Sequence, residues 1–147
     1  MVETLIVMGR VPDTKGHVTF AFRANCNGND RQKFILDMAT TLGGLLPLEC
    51  RINPDLIRVG KKKELDAYQI ILVDDEANAA LTEFWDTQQR RTSGQEMFPF
   101  NLHVTLNSTD KREEMKTLLE KGDTFKITDV FMRTLVTKEI VVELVDR

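Results

Sequence analysis

Two hydrophobic periods alternate along this chain, one of two residues and one near 3.6, and together they predict a mixed set of strands and helices. ETLIVMGRV (3–11) is β-branched and apolar, a strand. Pro12, Asp13 and Gly16 supply turn chemistry at 12–16. HVTFAFRA (17–24) then alternates, setting Val18, Phe20 and Phe22 on one face and His17, Thr19 and Ala21 on the other. NCNGND (25–30) reads as a loop that can cap a helix. In RQKFILDMATTLGGLL (31–46), Phe34, Met38 and Leu42 fall at helical spacing with Ile35 beside them, and Gly43-Gly44 end the helix.

The second half repeats the style. A strand is expected at 48–52 or 55–60 and a clearer one at 67–74. A helix over 76–91 carries Ala77, Leu81, Phe84 and Trp85 on its apolar face, so Trp85 is expected in the core. Residues 92–100 form a loop with Phe98 and Phe100, and 101–107 alternate as a strand. Asp110 and Glu113 make a capping box for a third helix that Gly122 closes. Strands at 124–135 and 139–146 complete the chain.

These elements read as one unit said twice: a strand containing His-Val-Thr, a helix, a strand pair. The segment 56–74 can be laid on 130–146, each an apolar strand, a basic turn and an apolar strand ending Leu-Val-Asp. A duplicated unit of this kind predicts two lobes related by a pseudo-twofold axis.

The repeated tetrapeptides carry the chemistry. The chain has two histidines, and both open the same motif: His17-Val18-Thr19-Phe20 and His103-Val104-Thr105-Leu106. A double coincidence has odds of roughly one in fifty thousand at about one in fifteen per residue, and choosing the pattern afterwards weakens that about a hundredfold. On a strand, residues two apart share a face. Each motif therefore presents an imidazole beside a hydroxyl while its Val and Phe or Leu pack inward. Facing one another across a groove, two such pairs suit a phosphodiester. A neutral histidine can act as base and a protonated one as acid on opposite sides of the phosphorus. The threonine hydroxyls can donate to the non-bridging oxygens. This chemistry requires no metal.

Composition adds bounds. A length of 147 residues and a hydrophobic share of 41% suit one domain with a real core. A net charge of −3 argues against coating nucleic acid by bulk charge, so an anionic ligand needs a local basic patch. Cys26 and Cys50 form no zinc-binding pattern and read as free thiols of a reducing compartment. No apolar run approaches the roughly 20 residues of a membrane span, and the N-terminal segment reads as a strand rather than a signal peptide. A cytoplasmic monomer is expected.

At its two motifs the chain resembles the two-histidine (2H) phosphoesterase superfamily, which includes the LigT-like RNA phosphodiesterases. That family carries two H-x-[ST]-x motifs with hydrophobic x positions, and here the histidines lie 86 residues apart. The family's frequent F-x-P-H before the second motif is replaced by MFPFNLHVT, with Pro99 displaced and Leu102 preceding His103. The resemblance implies a bilobal α+β fold spanning 1–147, its motif lobes at roughly 12–75 and 95–147. Antiparallel sheets flanked by helices would surround a central groove. It also implies metal-independent cleavage of RNA-type phosphodiesters without a cofactor. Family substrates include 2′,5′- and 3′,5′-oligonucleotides, 2′,3′-cyclic phosphates and cyclic-nucleotide immune messengers. His17, Thr19, His103 and Thr105 would be catalytic.

For substrate binding, the candidates are Lys15, Arg133 and the aromatic rings of Phe98, Phe100 and Tyr68. Arg23, Lys61-Lys62-Lys63 and Lys138 are further cations, the triplet reading better as a solvated hairpin tip. The competing expectation is a nucleotide- or RNA-binding module of the same fold without turnover. The linkage cut, the natural substrate and the division of acid and base between the histidines stay open at this level.

Overall fold

The computed structural model describes residues 3–26, 28–60, 63–90, 99–122, 124–136 and 141–146. They run β1 (Glu3–Arg10), β2 (His17–Cys26), α1 (Gly28–Gly43), β3 (Leu48–Val59), β4 (Leu65–Leu72) and α2 (Asp75–Arg90). After these come β5 (His103–Thr105), α3 (Thr109–Lys121), β6 (Phe125–Ile127), β7 (Val130–Val136) and β8 (Val141–Asp146). The strands form two antiparallel sheets of four, ordered β2-β1-β7-β8 and β5-β4-β3-β6. The fold is mixed α+β. Each His-Val-Thr motif opens a strand at the edge of its own sheet.

One apolar cluster joins both sheets. Leu5, Val7, Val18 and Phe20 of the first sheet meet Phe34, Met38 and Leu42 of α1. The cluster continues through Cys50, Ile70, Leu81, Val104, Met115 and Ile127. The helical spacing read in α1 is thus its buried stripe. Each fully buried large side chain of this kind contributes about 1.5–3 kcal/mol. Among the described residues, no helix is long and apolar enough to cross a membrane.

Four local expectations are corrected. The candidates 48–52 and 55–60 are one strand, β3, whose register shifts between Ile52 and Leu56. Pro54 lies in that irregular stretch, where its missing N–H leaves no gap in the ladder. The single strand expected over 124–135 is two, because the chain leaves one sheet and enters the other. β6 pairs with β3, whereas β7 pairs with β1. The crossing is fixed at Asp129, whose carbonyl accepts from the Arg10 backbone N–H at 2.9 Å and whose carboxylate pairs with Arg10 Nε at 3.0 Å.

The cap of α3 is Ser108, whose hydroxyl accepts from the Lys111 N–H at 3.2 Å, so the Asp110–Glu113 box does not open the helix. Gly122 closes it at φ 71°, as expected. The echo between 56–74 and 130–146 holds as two hairpins but not in their placement. β7 and β3 are both third in their sheets, but β8 lies at an outer edge and β4 lies inward beside β5.

Candidate active site

The first motif is laid out by β1. Arg10 pairs with His17 and Met8 with Thr19, while on its other side Met8 pairs with Phe131 and Ile6 with Arg133. Paired residues share a face, and alternate residues of β1 share it too. His17, Thr19, Arg10, Phe131 and Arg133 therefore belong to one side of the sheet. A register shift in β2 changes its alternation: Val7 pairs with Ala21, but Ile6 pairs with Phe22. Phe22 thus joins the face of His17 and Thr19, and Ala21 and Arg23 turn to the packed side with Val7 and Leu5. Simple alternation could not foresee this flip.

The second motif is laid out by β4. Gln69 pairs with His103 and Ala67 with Thr105, whereas Tyr68 pairs with Val104. The ring of His103 is anchored, its Nδ1 lying 2.9 Å from the carbonyl of Asn101. A carbonyl only accepts, so Nδ1 carries the proton and Nε2 is the nitrogen left for chemistry. The Asn101 side chain is held in turn by Gln69 Nε2 at 3.2 Å, and Gln69 accepts from Asn53 Nδ2 at 3.3 Å. Neither Asn53 nor Gln69 stands out in the sequence; Asn101, two residues before the histidine, is the only local signal.

The two motif strands come from different sheets and touch each other, β2 against β5. Just before β2 the packing is tight at Gly16, where a Cβ would stand 2.9 Å from Val104 Cγ1 and 3.3 Å from Met115 Sδ. Each residue of that contact adjoins a motif histidine: Gly16 precedes His17 and Val104 follows His103. The preceding turn is fastened to α3, because the Lys15 backbone N–H donates to Glu114 Oε1 at 3.1 Å and its ammonium pairs with Asp110.

Electrostatics place His17 in a cationic field. Its pKa is lowered to about 4, first by burial and then by Lys111, Arg133, Arg10 and His103. The imidazole is neutral near pH 7 and keeps a lone pair for a proton. Thr19 and Thr105 are both half-buried. Arg10 and Lys111, whose charges reach His17, are candidates the sequence did not single out. Arg10, a cation within an apolar strand, carries the signal that marks Arg133, but Lys111 looks like any exposed helix lysine.

The remaining candidates divide. Lys15 spends its charge on Asp110 rather than facing the histidines. Arg23 is buried and pairs with Asp30 at 3.1 Å, which removes it from any groove. Tyr68 shares the packed side with Val104 and leans on the core. Trp85 is only half-buried; it meets Phe22 edge-on at 5.3 Å and Phe100 at 5.9 Å between centroids. Phe100 consequently belongs to an aromatic cluster leading into the second motif. Phe98, Lys61, Lys62 and Lys138 lie outside the described residues.

Two cavities, of about 390 and 460 Å³, border α1 and contain neither histidine. No family model, curated protein or solved structure matches the chain.

Proposed function

We propose that this protein is a metal-independent phosphodiesterase of the two-histidine type, with a bilobal arrangement around a groove between β2 and β5, acting on RNA-type phosphodiesters. One observation carries the reading: the Gly16–Val104 contact brings together two edge strands that each present histidine and threonine.

The neutral ring of His17 is suited to remove the proton of a 2′-hydroxyl or a water. The oxygen so freed attacks phosphorus. The bond to the leaving oxygen breaks, and that oxygen takes a proton from Nε2 of His103. His103 suits the acid role because the Asn101 carbonyl holds the proton on Nδ1 and leaves Nε2 to carry the one given up. Thr19 and Thr105 donate to the non-bridging oxygens as charge gathers there. At the end His17 is protonated and His103 neutral, so a second step with water runs with the roles exchanged.

The test is a screen in excess EDTA with chromatographic product analysis. Its panel holds 2′,3′-cyclic nucleotides, 2′,5′- and 3′,5′-oligoadenylates, and cyclic di- and trinucleotides. We expect at least one class to be cut at an undiminished rate with the chelator present. Turnover that vanishes in EDTA contradicts the mechanism. Saturable binding without product on long incubation favours a silent binding module.

A further inference from the structure

We propose that Arg133 forms a second anion subsite that receives a phosphate flanking the scissile one, so that the protein selects oligonucleotides bearing an additional phosphate over substrates with a single one. This rests on the phosphodiesterase reading above and deepens it. Arg133 sits on β7 with Ile6 as its partner on one side and Leu144 as its partner on the other. Neither of these two direct register partners carries a carboxylate. Its Nε is buried without a hydrogen-bond partner. Leaving such a donor unpaired is unfavourable, and a planar guanidinium is suited to a phosphate's geometry.

The other cations near His17 are already engaged. Arg10 pairs with Asp129 and lies 4.4 Å from the Phe131 ring centroid, and Lys111 Nζ donates to Asn107 at 3.0 Å. Arg133 is the one left short of an acceptor among these three.

Placement separates this anion from the one under attack. Arg133 lies two strands across and four residues along β1 from the His17 row. Ideal strand geometry makes that roughly 10 Å by 14 Å between backbones. The backbone of Arg133 thus stands well apart from the His17 row, while its charge still acts on His17 through space. A polyanion bridging the two positions fits both facts. A phosphate taken by the outer nitrogens would also let the side chain turn outward and bring Nε to an acceptor.

The test compares the wild type with Arg133→Gln and Arg133→Lys in two assays. The first is equilibrium binding of adenosine 3′,5′-bisphosphate against adenosine 5′-monophosphate. The second is kcat/KM on a dinucleotide with and without a terminal phosphate. The wild type should favour the additional phosphate by at least about tenfold in each. Arg133→Gln should abolish both preferences, lowering kcat/KM on the phosphorylated dinucleotide at least about tenfold more than on the unphosphorylated one, and Arg133→Lys should keep part of them.

A wild type indifferent to the second phosphate overturns the proposal, and so does a glutamine variant that keeps the preference or loses both dinucleotides equally. If neither dinucleotide is cut but the bisphosphate preference is present and lost in Arg133→Gln, the subsite stands and the catalytic reading falls.

Discussion

Changing either His17 or His103 to alanine should lower turnover of the responsive phosphodiester by about 10²–10⁴-fold and leave the fold nearly unharmed. Both effects follow from how the rings are held. His17 is half-buried and neutral near pH 7, so its loss removes part of one side chain's packing and breaks no ion pair. His103 gives up a single hydrogen bond, to a carbonyl that water can reach in its place. Thermal midpoints should move by no more than the equivalent of about 1 kcal/mol. The two losses should not add, because acid and base act on one transition state and removing either disables both. A single variant that retained more than about a tenth of the wild-type rate would refute the paired role.

Gly16→Ala should damage the site strongly from outside the motifs. The added methyl would stand 2.9 Å from Val104 Cγ1 and 3.3 Å from Met115 Sδ. Val104 and Met115 are almost wholly buried and have little room to retreat. Overpacking of this sort costs about 1–3 kcal/mol. The larger consequence is geometric, since forcing β2 away from β5 moves the base relative to the acid. A displacement near 1 Å can reduce rate by about 10²-fold. We expect kcat to fall more than KM rises. Gly28→Ala is the control, because a Cβ there meets nothing within 4 Å. Equal kinetics for Gly16→Ala and wild type would mean that this contact does not set the spacing.

Much of this was legible in the chain, and the failures have physical causes. The stripe of Phe34, Met38 and Leu42 announced α1 because burial on a helix follows its 3.6-residue period. The motif strands were legible because His-x-Thr keeps both polar groups on one side. Phe22 was misplaced because a bulge reverses alternation without any mark in residue type. The 124–135 strand was read as one because apolar alternation says nothing about which sheet it joins. Trp85 shows the limit of helical patterning, which finds an apolar face but not where its edge emerges beside Phe22 and Phe100. Arg23 and Lys15 looked available because sequence does not reveal partners such as Asp30 and Asp110.

With two histidines in the chain, ring NMR resolves the central claim directly. The measurement is a titration of labelled protein at pH 7 with adenosine 2′-monophosphate, following both imidazoles. In the free protein His17 should be neutral, with its own titration near the lowered value of about 4. Both sets of ring signals should then move along a single binding curve, reporting one phosphate between them. Movement of one ring alone, or two curves with separate midpoints, would contradict the account.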